Sequence, residues 1–222
     1  MTGFDPIIFD LDGTVVDTVA LIRASFRHAS RAVLGRQLPD EVLLAGVGQP
    51  LMTQMRALDA ARAQELYDAY REHNHRFHDE MIAGFAGMEA ALGRLKAAQR
   101  RLAVVTSKSA DTTAMAFGAV GLREYFDVVV TASDTAAHKP SPEPLLLALE
   151  RLGAAPDHAV YVGDAPVDVA AGKAAGVATV AVVWGVFSRA ALVAAAPDFT
   201  VATPAALVNL CLEGAPRARS AS

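Results

Sequence analysis

The sequence predicts an α/β fold: a Rossmann-like parallel sheet core interrupted by an inserted all-α helical domain. Three observations point there. From Met88 onward, apolar runs of strand length alternate with helical segments, with turn signals at Gly121, Gly153, Gly176 and Gly185. Strands that alternate with helices predict a parallel sheet covered on both faces. Ile7-Ile8-Phe9 is a continuous apolar run that fits a strand buried on both sides, and it ends abruptly in Asp10. Between that strand and Met88, residues about 15 to 82 read as helix throughout.

The elements follow in chain order. Val15 to Arg31 is amphipathic, Pro39 to Ala45 marks a helix start, and Asp59 to Met81 carries one long helical periodicity. Gly46-Val47-Gly48-Gln49-Pro50 breaks the block, and no strand candidate lies within it. An insertion directly after the first strand makes the domains discontinuous. Residues 1–16 and 83–222 are expected to form the core, and residues 17–82 a lid above the carboxyl ends of the strands. The turn near Thr14, with Gly84 and Gly87, supplies the expected hinges. From about residue 213 the tail, with Gly214, Pro216, Arg217 and Arg219, reads as disordered.

Composition excludes several functions. No apolar run approaches the ~20 residues that span a bilayer, and no basic region followed by an apolar stretch opens the chain. The expectation is a soluble cytoplasmic protein with no membrane partner. A net charge of −4 argues against a nucleic-acid surface, which needs clustered Lys and Arg. Arg94, Lys96, Arg100 and Arg101 lie toward a helix end, where they complement the helix dipole and need no other partner. The single Cys211 rules out an intramolecular disulfide and reads as a small buried hydrophobe. Trp184 is expected to pack on the sheet edge. Monomer and homodimer both remain open.

Chemistry concentrates where strands end. Asp10 and Asp12 flank Leu11 just before Gly13, and in open α/β sheets ligands bind outside the carboxyl ends of the strands. Leu102 to Val105 ends in Thr106-Ser107-Lys108; Ala159 to Val162 ends in Gly163-Asp164, with Asp168 four residues on. Lys139 lies in the proline-stiffened loop His138-Lys139-Pro140-Ser141-Pro142-Glu143-Pro144 before a helix. Each segment alone has an ordinary explanation as a turn, a helix cap or a solvated charge. Four together supply what phosphoryl transfer needs.

Converging carboxylates repel: two unit charges ~5 Å apart cost roughly 3 kcal/mol at an effective dielectric of 20. Asp10, Asp12, Asp164 and Asp168 therefore require a cation or shifted protonation. Their all-oxygen donor set, without Cys or His, favours Mg²⁺. One carboxylate of the first loop can attack phosphorus, and the other can protonate the leaving oxygen and later activate water. Asp10, nearer the sheet, is the better nucleophile, and Asp12 is better placed as acid and base. Thr106 or Ser107 would donate to the phosphoryl oxygens, with Lys139 stabilising charge on nucleophile and phosphate. The phosphate is expected among Asp10, Leu11, Asp12, Thr106, Ser107, Lys108, Lys139 and Gln49. Lys108 is expected to pair with a site aspartate, while Gln49 either contacts substrate or caps a helix.

The segments Asp10-Leu11-Asp12-Gly13-Thr14, Thr106-Ser107-Lys108, Lys139-Pro140 and Gly163-Asp164 to Asp168 resemble, in order and spacing, the four motifs of the haloacid dehalogenase superfamily. The helical insertion resembles its C1 cap. The resemblance implies Asp10 as nucleophile, Asp12 as acid and base, and Thr106 and Lys139 on the phosphate. It implies Mg²⁺ held by Asp10, the Asp12 carbonyl and Asp164, with Asp168 as outer support or additional metal contact. An aspartate at position 12 is unlike the family's true dehalogenases and phosphonate hydrolases. The segment Gly48-Gln49-Pro50 lacks the arginine of its sugar-phosphate mutases.

Hydrolysis of a small phosphate ester is the implied reaction. The resemblance within the hydrolases is to phosphoglycolate phosphatases and their pyrophosphatase relatives, the latter through Tyr70 to Glu80 and Lys139 to Pro144. A phosphoacceptor or sensor protein with a long-lived aspartyl-phosphate is the alternative of another class. His73, His75 and His78, interleaved with Arg71, Glu72, Arg76 and Asp79, read as a solvated helix face rather than a metal site.

Overall fold

The computed structural model describes residues 3–213, so the expected disordered tail lies outside the described residues. Six parallel strands form the sheet in the order β5-β4-β1-β6-β7-β8. They are β1 (Ile7–Phe9), β4 (Leu102–Val105), β5 (Val128–Val130), β6 (Val160–Gly163), β7 (Ala178–Val182) and β8 (Phe199–Val201). The period of two along β1 assigns its side chains to opposite faces. Ile7 and Phe9 join Leu92, Leu95, Phe117 and Val208 on one side; Ile8 joins Leu145, Leu149 and Tyr161 on the other. Helices α6 (Met88–Ala97), α7 (Ala110–Val120) and α11 (Pro204–Glu213) contribute to the first layer, and α8 (Glu143–Leu152) and α9 (Pro166–Ala174) to the second. Helix α10 (Arg189–Ala194) packs through Leu192 against Val169 and Ala181.

The register explains why the site forms where it does. Phe9 pairs with Val104 on one side and Val162 on the other. Asp10 follows Phe9 directly, and Thr106 and Asp164 each stand two residues beyond those partners, so three adjacent strands deliver their polar ends to one level.

The insertion comprises α1 (Val19–Leu34), α2 (Asp40–Leu43), α3 (Leu51–Leu58), α4 (Ala63–Arg76) and α5 (His78–Met81). It has its own core of Ile22, Phe26, Met55, Leu66 and Tyr70. Phe26 and Tyr70 meet edge to face at 4.9 Å and 66°, a contact worth about 0.5–1.5 kcal/mol beyond its buried area.

The block is not wholly helical. β2 (Val16–Asp17) pairs antiparallel with β3 (Ala83–Gly84), joining the chain's exit from the core to its return. The first helix accordingly starts at Val19 rather than Val15, because Val15 and Val16 are fully buried in the main core. The expected Asp59–Met81 helix is two. Asp59 accepts hydrogen bonds from the N–H groups of Ala61 and Arg62, turning the chain before α4 begins, and Phe77 separates α4 from α5.

Other expectations are corrected by packing. Trp184 lies beyond β7, which has neighbours on both sides, so it is not on the sheet edge. Its Nε1 donates to the Thr14 carbonyl at 3.1 Å and its ring meets Phe85 edge-on at 6.2 Å, tying both crossover segments together. The basic cluster has partners after all: Lys96 pairs with Asp127 at 2.7 Å, Arg101 with Asp5 at 2.8 Å, and Arg94 donates to Asn209. His78 is buried, and His73 lies between His28 and Phe77 with Nδ1 3.1 Å from Ser25 Oγ. Of the three histidines, only His75 is exposed as the charged pattern suggested.

Candidate active site

Asp10 leaves β1 with its N–H bonded to the Val162 carbonyl at 2.8 Å, which fixes the backbone against β6. Its Oδ1 accepts from Lys139 Nζ at 2.7 Å. Oδ2 accepts no hydrogen bond among the described residues. The turn that follows is organised by the Leu11 carbonyl, which accepts from the N–H groups of Thr14, Val15 and Val16. The Leu11 side chain is in the core, so its contribution to an anion site is its backbone N–H. Neither that N–H nor that of Asp12 has a partner among the described residues, and such amides at a strand end suit a phosphate. Asp12 is held by Lys108, Nζ to Oδ1 at 2.6 Å.

Lys139 is fully committed. Besides Asp10 it donates to Asp168 Oδ1 at 2.7 Å and to Tyr161 Oη at 3.1 Å, which uses all three donors of an ammonium group. Its side chain is 1% exposed. Glu143, in the first turn of α8, accepts from the N–H groups of Ala136 and Ala137 and closes the loop that carries the lysine. Burial opposes the charge on Lys139, but Asp10 and Asp168 outweigh it and hold its pKa well above the ordinary value. Burial, reinforced by Asp168 and Asp12 and opposed by Lys139, pushes the Asp10 carboxyl up to about 7. Asp164 is likewise driven well up by burial, then by the charges of Asp10 and Asp168.

These directions describe a site short of positive charge. Asp10, Asp164 and Asp168 bring carboxylate oxygens within 4.8 Å of one another, all buried, around one ammonium. The donors are hard oxygens, as a divalent cation such as Mg²⁺ requires. Asp164 has Oδ2 on the Val186 N–H at 2.6 Å, and Oδ1 accepts nothing among the described residues. Asp168 is the least available of the three. Its Oδ1 takes Lys139 and Tyr161, and its Oδ2 accepts from the Ala165 N–H at 3.0 Å. Small residues make the crowding feasible. A Cβ on Gly13 or Gly185 would overlap the Asp164 carboxylate, and one on Gly163 would overlap that of Asp168.

Thr106 is buried at the end of β4; its Oγ1 accepts from the Lys108 N–H at 3.2 Å, leaving its own proton to donate. Ser107 Oγ instead donates to the Gly48 carbonyl at 2.6 Å, so that in this structure it bonds the inserted domain. Gly48, at φ +96°, lies so close to Val167 that a side chain there would collide. The loop Gly46–Pro50 thus closes over the strand ends. The cavity between them, about 260 Å³, is lined by Asp10, Asp12, Thr106 and Asp164 from the strand ends and by Gln49, Tyr70 and Arg71 from the inserted domain. That volume lies just below the about 300 Å³ at which pockets for drug-sized ligands begin, so it suits a small metabolite.

Sequence reasoning missed Tyr161, Gly185, Tyr70 and Arg71. A tyrosine inside a run otherwise apolar was the available signal for the first, since a buried hydroxyl needs a partner.

The family described as haloacid dehalogenase-like hydrolase matches residues 7–182. Among curated proteins, the chain is 38% identical to pyrophosphatase PpaX of Bacillus velezensis over 92% of its length and 94% of the relative's. Among solved structures, it superposes with a TM-score of 0.83 on a protein described as a predicted phosphatase from Clostridium acetobutylicum, 26% identical, covering 96% of this chain and 100% of that one. A predicted phosphoglycolate phosphatase from Haemophilus somnus shares the fold at 24% identity, with a TM-score of 0.81 over 95% of this chain and 99% of the other. No helix among the described residues is long and apolar enough to cross a membrane. The chain belongs to the haloacid dehalogenase-like hydrolases.

Proposed function

We propose that this enzyme hydrolyses pyrophosphate, with a divalent cation, through an aspartyl-phosphate on Asp10. The observation that carries the proposal is the division of the Asp10 carboxylate, with Oδ1 held by Lys139 and Oδ2 accepting no hydrogen bond among the described residues, in a side chain that lines the cavity together with Asp12. The 38% identity to a pyrophosphatase along nearly the whole chain favours that substrate. A short phosphocarboxylate such as 2-phosphoglycolate is the second reading, favoured by a cavity of this size and by its apolar cap residues Phe26, Leu51 and Met52.

In the first step Asp10 Oδ2 attacks phosphorus as the bond to the bridging oxygen breaks, and Asp12 gives its proton to the leaving oxygen. Lys108 positions Asp12 for this. In the second step Asp12 takes a proton from water, the water oxygen bonds to phosphorus, and the Asp10 carboxylate leaves. Thr106 and the N–H groups of Leu11 and Asp12 donate to the phosphoryl oxygens in both steps. Asp10 and Asp164, with the Asp12 carbonyl, would hold Mg²⁺, and Asp168 supports the site through Lys139. Bound there, the cation offsets the carboxylate charges and those of the phosphoryl oxygens.

Asp12 beside the nucleophile also argues against a sensor that stores the phosphoryl group, because a base at that position shortens the intermediate's life. Phosphate release from pyrophosphate, 2-phosphoglycolate, sugar phosphates and nucleoside monophosphates, with Mg²⁺ or EDTA, tests the reading. The expected result is a preference for pyrophosphate, abolished by EDTA and in Asp10→Asn. Equal release in EDTA would contradict the metal requirement.

A further inference from the structure

The cavity wall that faces Asp10 carries a polar helix stripe. Tyr67, Tyr70, Arg71, Asn74 and His75 all line the cavity from α4. Their spacing, i, i+3, i+4, i+7 and i+8, is that of a single helix face.

Arg71 stands out on that face by its charge. Lys108 and Lys139, the ammonium groups lining the same cavity, are paired with Asp12 and with Asp10 and Asp168. Elsewhere in the cap, Arg23 and Arg27 pair with Asp40, and Arg62 with Glu65. No carboxylate pairs with Arg71 among the described residues. Its guanidinium is nevertheless held in place. Nη1 donates to Tyr67 Oη at 3.3 Å, Nη2 lies 3.2 Å from His75 Nε2, and the group sits 5.7 Å from the centre of the Tyr67 ring. Partial burial, then the charges of Arg71 and His78, lower the His75 pKa, which favours the neutral ring that accepts from Arg71. The guanidinium is therefore oriented by neutral groups while its charge is unmatched.

Directly before Arg71 in α4, Tyr70 has a buried ring and a hydroxyl with no hydrogen-bond partner among the described residues. Tyr70 lines the cavity together with Asp12 of the first loop. A held cation and a free hydroxyl thus line the same cavity as Asp10, Asp12 and Thr106.

We infer that Arg71, assisted by the Tyr70 hydroxyl, binds a second anionic group on the substrate. The enzyme thereby selects small phosphates with another anion close to the scissile bridge over esters of uncharged alcohols. The inference rests on the phosphohydrolase reading above and adds to it a residue that decides specificity. In pyrophosphate the second anion is the leaving phosphate, which the planar guanidinium fork matches in geometry.

The test compares kcat and KM on pyrophosphate, 2-phosphoglycolate and phenyl phosphate for the wild type, Arg71→Ala, Arg71→Lys and Tyr70→Phe, with folding checked by thermal melting. Arg71→Ala is expected to lower kcat/KM about 100-fold on the two substrates bearing a second anion, chiefly through KM. The same variant should lose no more than roughly threefold on phenyl phosphate. These sizes follow from a charge-assisted hydrogen bond at about tenfold per 1.4 kcal/mol. Arg71→Lys should recover part of the loss, and Tyr70→Phe should show a smaller loss of the same pattern. Equal losses on all three substrates, or a wild type that prefers phenyl phosphate, would overturn the inference. A wild type active on 2-phosphoglycolate but not on pyrophosphate would refute the pyrophosphate assignment alone, and the carboxylate would then decide the role of Arg71.

Discussion

Lys139 Nζ lies 2.7 Å from Asp10 Oδ1 in a place where the lysine side chain is 1% exposed. In the proposed mechanism this contact leaves Asp10 Oδ2, which accepts no hydrogen bond among the described residues, as the attacking oxygen. It also makes the lysine a keystone of the fold, since Asp168 and Tyr161 depend on the same ammonium.

Lys139→Met should therefore fail in two ways. Removing one partner of a buried ion pair leaves uncompensated charge and costs on the order of 3–5 kcal/mol. Urea unfolding at neutral pH without metal should show a loss of that size, and turnover should fall at least 100-fold. A variant of wild-type stability would contradict the keystone role.

Asp164 and Asp168 occupy the same cluster but should answer differently to amide substitution. Asp164→Asn removes a proposed ligand and is expected to weaken Mg²⁺ binding at least tenfold by calorimetry. Asp168→Asn should alter Mg²⁺ affinity less and kcat more, because it releases Lys139. Equal losses of affinity would make Asp168 a ligand.

The Asp10 carboxyl is raised from 3.8 to about 7 by burial, with Asp168 and Asp12 adding to the rise and Lys139 opposing it. The folded protein then keeps a proton that the unfolded chain has released, so metal-free stability falls as pH climbs from about 4 toward 7. Asp164 acts in the same direction. His73 and His75, whose pKa values are lowered from 6.5 chiefly by partial burial, act oppositely below that pH. Comparing melting with and without Mg²⁺ at each pH removes the histidine contribution, which is common to both. Mg²⁺ displaces the carboxyl protons, so the melting-temperature gain should be larger at pH 8 than at pH 5.5. A gain independent of pH would contradict the shifted carboxyls.

Gly185→Ala tests the crowding. Gly185 does not have positive φ, so the cost is steric: the added methyl overlaps the Asp164 side chain. Mg²⁺ affinity should drop at least tenfold, with a modest change in stability. Unchanged affinity would show that Asp164 can move without consequence.

The fold and the convergence of the candidate loops were legible because each depends on local signals. Apolar runs ending in Asp10, Thr106 and Asp164 mark buried strands, and a parallel sheet delivers their ends to one place. The β2–β3 pair was not legible, since two residues per strand carry no periodicity and only their pairing reveals them. Arg71 and His78 were hidden by their own neighbours. Alternating charges along α4 read as a solvated face, whereas one edge of that face closes a cavity and His78 turns inward. Tyr161 lies inside the apolar run of β6, and only the structure shows its hydroxyl bonded to Lys139.

The central claim is that Asp10 carries the phosphoryl group. It is tested most directly by acid-quenching Asp12→Asn with radiolabelled pyrophosphate and Mg²⁺, followed by peptide mapping. The account predicts label on the peptide containing Asp10, formed in a burst and lost slowly, and no label when Asp10→Asn is added. Rapid hydrolysis by the enzyme lacking the Asp10 carboxylate, or label on another residue, would contradict it.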